Sequence, residues 1–302
     1  MKKYPRPDWK RVTRLGVAAL VAALLVGLSF PAYLAFQYAH HFTHVGCFGT
    51  LDSLETQGYP SEMVKFTARQ GYTLRGWFAP GSRYPEAAIV VLPGASGNSQ
   101  FALPDAAILA KAGYSTLIYE HRSCADPALI HSGGYYEAFD LTSAVAYLWS
   151  RPEIRHVGVL GFSAGGTAAL LAAADQKNIE AVVAEGGFSS MEADALDPQS
   201  PHDPLDWTVR RLTVFFLGVE MGVPVSKVSP LARIKEISPR PLLLIYGERE
   251  AWHGQTLYAA AGEPKTLWIV PGVGHGGYHE AYPEEYETRI LNFFQKAFGL
   301  EP

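Results

Sequence analysis

The chain has 302 residues, 48% of them hydrophobic, which is room for one large domain or two small ones. Its net charge of −4 is uneven, with six basic side chains against Asp8 alone in residues 1–14. The remainder is therefore acidic, which argues against nucleic acid as a partner. Two cysteines, Cys47 and Cys124, are too few for a disulfide framework and lack metal-ligand spacing. One bridge between them stays open.

Residues 1–14 read as a basic tail. Residues 15–36, LGVAALVAALLVGLSFPAYLAF, carry no charge. As a helix this run would rise about 33 Å, enough to cross a hydrocarbon core. Pro31 near its end can kink it without forbidding the span. Basic residues before the run and none after it place the N-terminus in the cytoplasm and the body on the far side. A cleaved signal peptide is the rival, but no site near the run's end has small residues at both −3 and −1. An uncleaved anchor is the favoured reading. Residues 37–60 read as a polar connector. His40, His41 and His44 there have no carboxylate or cysteine cluster beside them, so an interfacial segment with Tyr33, Tyr38 and Phe42 is expected, not a metal site.

From residue 61 strands and helices alternate up to about residue 300. Met63–Arg69 and Tyr72–Ala79, separated by Gln70-Gly71, predict a hairpin. The apolar runs at 87–92, 115–119, 157–162, 180–184, 241–246 and 266–270 predict strands buried on both faces. The stripe Leu141, Ala144, Val145 and Leu148 has helical spacing, and so do Ile290, Phe293, Phe294 and Ala297 in the last helix. The expected architecture is a hairpin feeding about six parallel strands, in one α/β domain. Alternation breaks once, at about residues 190–239. There a loop around Asp197–Pro204 precedes an apolar, poorly periodic stretch from Trp207 to Val225. This reads as a lid over the carboxyl ends of the strands, with a few of its side chains lining a pocket.

The stretch that carries chemistry is Gly161-Phe162-Ser163-Ala164-Gly165, between a β-branched run and an alanine-rich helix. G-x-S-x-G at such a corner is the nucleophile elbow. A serine hydroxyl needs a base, and the base needs a carboxylate, in the chain order Ser, acid, His. His275 lies in a glycine-rich loop straight after the last strand and is the expected base. His279 follows four residues later, but no helical pattern supports a His-x-x-x-His metal pair. His202 and His253 are expected to serve structure or solvent. Glu250, three residues past Gly247, is the expected acid; Glu248 is the runner-up and Glu185 a third candidate. The backbone N–H groups of Ala164 and Ala95 are the expected oxyanion donors. The loop from Pro93 lacks the lysine and the spacing of a phosphate-binding loop.

Pro93-Gly94-x-x-Gly97-Asn98, Gly161–Gly166, Gly247-x-x-Glu250 and Gly274-His275-Gly276 occur in that order. From about residue 60 to 298 the chain resembles the α/β-hydrolase superfamily, within it the serine aminopeptidase and dipeptidyl-peptidase-related branches and the membrane-anchored Bem46-like proteins. The resemblance implies a mostly parallel eight-stranded sheet with flanking helices and a lid. It departs from the family at three places: Pro93-Gly94 replaces His-Gly, Glu250 replaces Asp, and Glu120-His121-Arg122-Ser123 replaces Asp-x-Arg-Gly. The expected protein is a membrane-anchored serine hydrolase acting on an ester, thioester or amide of a small, peptide or lipid acyl substrate, with neither metal nor organic cofactor. An acyltransferase using the same residues, or a silent binding domain, is the alternative.

Overall fold

The computed structural model describes residues 9–95, 97–197 and 203–301. Helix α1 (Trp9–Thr43) precedes strands β1 (Glu62–Thr67), β2 (Thr73–Ala79) and β3 (Tyr84–Leu92), then α2 (Leu103–Lys111) and β4 (Tyr114–Tyr119). A short α3 (Arg122–Ala125) and α4 (Tyr135–Trp149) lead to β5 (His156–Phe162), α5 (Ala164–Asp175) and β6 (Ala181–Glu185). The segment expected to form a lid holds α6 (Met191–Leu196) and α7 (Pro204–Met221). It is followed by β7 (Leu242–Gly247), α8 (Ala251–Ala260), β8 (Lys265–Val270), α9 (Tyr278–Ala281) and α10 (Pro283–Phe298).

The sheet order is β1-β2-β4-β3-β5-β6-β7-β8. β1 and β2 pair antiparallel, β2 joins β4 antiparallel, and β3 to β8 are parallel. Burial explains the difference in sequence texture. Edge strand β1 alternates exposed and buried positions, whereas β4, β6 and β7 are buried at every position because helices cover both faces. The order reverses around β3, which has β4 on one side and β5 on the other. At such a switch point the loops leaving neighbouring strands diverge and open a crevice at their carboxyl ends. Register decides which residues meet there. Leu92 pairs with Gly161 and Gly247 with Val270, so the loop after β3 faces the corner after β5, and the loops after β7 and β8 lie side by side.

The turn that departs from the family's pattern is held from inside. Buried Glu120 accepts from Arg75 Nη2 at 2.6 Å, and the His121 side chain caps α3 by accepting from the Ser123 N–H at 3.3 Å.

Two segments differ from the expectations. The N-terminal helix does not end at Phe36 but runs to Thr43, so the first part of the expected connector is helical. At 35 residues it rises about 52 Å. Its last third is held by tertiary packing: Pro31, Ala35, Ala39 and Thr43, spaced four apart on one face, are buried. Small side chains there let α7 approach closely. Phe36 meets Phe216 edge-on at 5.7 Å, and Glu220 Oε2 lies 3.3 Å from His40 Nδ1 and 3.5 Å from His44 Nδ1. The carboxylate missing beside these histidines in sequence thus arrives from the lid.

The lid stretch that looked unperiodic is one helix. Asp203 caps α7 by accepting from the N–H groups of Leu205 and Asp206, and Gly222 ends it with φ 67°. Thr213, Leu217 and Met221 form its buried stripe, while Leu205, Trp207, Phe215 and Val219 are exposed. Apolar residues on both faces hide the helical period.

Cys47 and Cys124 are joined in a disulfide, and the rest of the connector is pinned to the body by the Phe48–Gly97 bridge and by Trp77 Nε1 donating to Leu51 O at 3.0 Å. The bridge links residues 77 apart, so its loss should free a long loop in the unfolded chain. Cys47→Ser with Cys124→Ser should cost about 2–5 kcal/mol. Urea unfolding in detergent, with and without reductant, checks this: the wild type should shift on reduction and the double variant should not.

Candidate active site

Strand β5 delivers Ser163 into a corner with φ 56° and ψ −119°, a strained conformation for a residue with a Cβ. The corner is tight because α5 folds straight back over the sheet. A Cβ at Gly161 would sit 2.3 Å from Gly165 O, and one at Gly165 would sit 2.5 Å from Pro93 O. Both positions therefore require glycine. The Ser163 N–H donates to Glu185 O at 2.6 Å, which fixes the corner against β6.

Ser163 Oγ lies 2.8 Å from His275 Nε2, and His275 Nδ1 lies 2.7 Å from Glu250 Oε2. With the Nδ1 proton donated to Glu250, Nε2 is left as an acceptor for the serine hydroxyl. The hydrogen bond to Glu250 raises the His275 pKa above its ordinary value; partial burial opposes this, and the charge of Glu250 adds to the rise. Tyr278 donates to the other carboxylate oxygen, Oε1, so Glu250 is held from two sides. The Phe162 ring packs on His275 with centroids 5.0 Å apart.

The other candidate acids lie elsewhere. Glu248 Oε2 accepts from the Gly272 N–H at 2.9 Å and braces the turn after β8. The Glu185 side chain is buried toward Asp105 and Tyr286, and burial, helped by the charge of Asp105, pushes its carboxyl well above the usual range. His279 pairs with Glu287 at 3.4 Å, and His253 is buried, its Nδ1 accepting from the Ser189 N–H at 3.0 Å. His202 lies outside the described residues.

Ala164 opens α5, so its N–H has no intrahelical acceptor and lies at the positive end of the helix dipole. Ala95 stands across from it: both line the cavity at Ser163, and a Cβ on neighbouring Gly94 would lie 3.3 Å from Ser163 Cβ.

The cavity at Ser163 measures about 470 Å³. Its walls include residues that sequence reasoning missed: Tyr38 and Phe42 from α1, Arg249, and Trp252. Nothing local signals the first two, because only tertiary packing brings α1 here. Tyr278 was also missed, though a tyrosine three residues past His275, at the start of α9, is a signal that could have found it. Among the described residues two groups carry metal-ligating atoms within 4.8 Å of one another, His40 with His44 and Glu220, and His121 with His131 and Glu137. In the second, Glu137 already accepts from Ser132 N, Ser132 Oγ, Gly134 N and His131, and so braces the loop before α4.

The chain matches the prolyl oligopeptidase family over residues 126–301. YfhR of Escherichia coli O157:H7 is 26% identical over 255 residues, covering 80% of this chain and 83% of that protein. The crystal structure of PA2218 from Pseudomonas aeruginosa superposes with a TM-score of 0.60 at 25% identity, over 84% of this chain and 97% of that one. Esterase Pf2001 of Pyrococcus furiosus shares the fold, with a TM-score of 0.68 at 19% identity over 84% and 98% of the two chains. With the elbow, the mostly parallel eight-stranded sheet and this match in hand, the chain belongs to the prolyl oligopeptidase family, as a hydrolase of the α/β-hydrolase fold.

Proposed function

We propose that this protein is a membrane-anchored serine hydrolase that cleaves an acyl substrate through a covalent intermediate on Ser163. The observation that carries the reading is the unbroken line Ser163 Oγ, His275 Nε2, His275 Nδ1, Glu250 Oε2, with steps of 2.8 and 2.7 Å. Oγ attacks the acyl carbonyl as its proton passes to Nε2. Glu250 orients the ring and stabilises the imidazolium, and the N–H groups of Ala164 and Ala95 hold the oxyanion. Collapse breaks the bond to the leaving group, which takes the proton from His275. Water then adds to the acyl-enzyme with His275 again as base, releasing the acid and restoring Ser163. Esters, thioesters and amides all fit this sequence; an esterase stands among the structural neighbours and a peptidase family gives the match. Helix α1 supports the anchor, being long and apolar enough to cross a membrane. The basic N-terminus and the Cys47–Cys124 disulfide support a catalytic domain on the far, oxidising side.

A fluorophosphonate probe should label the wild type and not Ser163→Ala; equal labelling of the two would sink the nucleophile assignment. Carbonate washing of membranes should leave the full-length protein in the pellet, and its release would count against the anchor. The pH dependence has a definite sign. His275 must be neutral to accept the serine proton, so kcat/KM falls as pH drops through its pKa. Because Glu250 raises that pKa, the acid limb should lie above about 6.5, the value of a free imidazole. Glu250→Gln should move the limb downward and cut kcat roughly 10²–10⁴-fold. Glu248→Gln should leave the limb in place, and the opposite ranking would reassign the acid.

A further inference from the structure

Helices α1 and α7 run side by side in the same direction, since Phe216 meets Phe36 while Glu220 meets His40 and His44 farther along. Trp207 precedes Phe216 by nine residues and so lies about 13 Å back toward the apolar run of α1. An amphipathic lid helix with Thr213, Leu217 and Met221 inside should be polar outside. Instead α7 exposes Leu205, Trp207, Phe215 and Val219, the last two at 61% and 60%. Arg211 stacks on Trp207 at 5.0 Å, a pairing suited to the headgroup level of a bilayer. The exposed apolar residues of α7 thus lie alongside a helix that itself exposes Phe30 and Tyr33.

Between the two helices lies a second cavity, of about 240 Å³, with Met191, Val209 and Leu217 in its walls. Tyr38, Phe42, Asp194 and Arg210 wall both this cavity and the one at Ser163, so the two adjoin, with only these side chains between them. Between the helices Met191, Val209 and Leu217 surround a single ion pair, Arg210 Nε donating to Asp206 at 2.8 Å, whereas at the serine Arg249 and Glu250 join Asp194 and Arg210 and the walls are more highly charged. That gradient matches an acyl chain followed by a polar ester.

We infer that the substrate is a membrane-resident long-chain acyl ester, whose chain enters between α1 and α7 and carries its carbonyl to Ser163. The inference rests on the serine hydrolase and anchor reading above and adds the substrate class and its route. The overall step is hydrolysis: the acyl C–O bond breaks, water supplies the new oxygen, and a free fatty acid and an alcohol leave.

The test uses the full-length protein in phospholipid nanodiscs with two esters sharing a leaving group, soluble p-nitrophenyl acetate and bilayer-dissolved p-nitrophenyl palmitate. Val209→Trp fills the cavity between the helices and should lower the palmitate-to-acetate turnover ratio roughly tenfold. Trp207→Glu, on the exposed face and outside the core, should lower the same ratio without depending on how well that cavity repacks. Ratios equal to wild type in both variants would overturn the inference, as would a wild type that cleaves acetate alone. Fluorophosphonate labelling in the same discs separates the two readings. Labelled protein that cleaves neither ester overturns the lipid-ester route but not the nucleophile, whereas loss of labelling in the wild type removes the nucleophile itself.

Discussion

The corner at Ser163 depends on there being no room beside it. Helix α5 turns back so sharply over β5 that Gly161 cannot carry a Cβ, and the end of β3 presses on the same corner, where a Cβ on Gly165 would meet Leu92 and Pro93. Such closeness needs a rigid bed, and the fully buried central strands supply it. A serine strained in this way stands clear of both strand and helix, where a base from another loop can reach it. Everything else at the site follows from strand register. Because β7 and β8 end level with each other, residues three and five positions past their ends, Glu250 and His275, meet above β5.

Two carboxylates at the ends of adjacent strands meet opposite fates. Glu185 ends β6 with its side chain buried beside Asp105 and Tyr286, in surroundings that favour the neutral acid. Asp105, in the same group, is itself pushed up to about 6 by burial. Glu250 follows β7 on the cavity side, where His275 and Tyr278 give its charge two donors. The strand positions looked equivalent in sequence, and the difference lies in which side of the sheet each side chain leaves.

That contrast marks what the sequence could reveal. The elbow and the His275 loop were legible because their chemistry is local: glycines where a Cβ clashes, and a histidine just past a buried strand. The sheet was legible because burial on both faces leaves unbroken apolar runs. The contact of Glu250 with His275 was legible only as one of three placements, since placement after β7 is a matter of topology while side-chain direction is not. The α1–α7 contact and the arrival of Glu220 at His40 and His44 were not legible, and the Cys47–Cys124 bridge was legible only as an open possibility. Each joins residues far apart in the chain with no periodicity linking them. The lid helix escaped for another reason, because apolar side chains on both of its faces erase the contrast from which a helical period is read.

The packing of α7 on α1 also explains why α1 continues past its apolar run. A helix that merely tethered the body could end at Phe36 and hand over to a flexible linker. Here it continues two turns farther on the stripe Ala35, Ala39 and Thr43, and Tyr38 and Phe42 become part of the cavity wall at Ser163. Phe42 lies only about 9 Å beyond Phe36 along the helix. The buried stripe leaves no swivel between α1 and the lid, and the disulfide and the Phe48–Gly97 bridge fasten the following segment to the body. The position of Ser163 relative to the apolar run of α1 is therefore set by the packing of α1 on α7. In a tethered enzyme that position would be averaged over many orientations of the body; in this one it belongs to the active site.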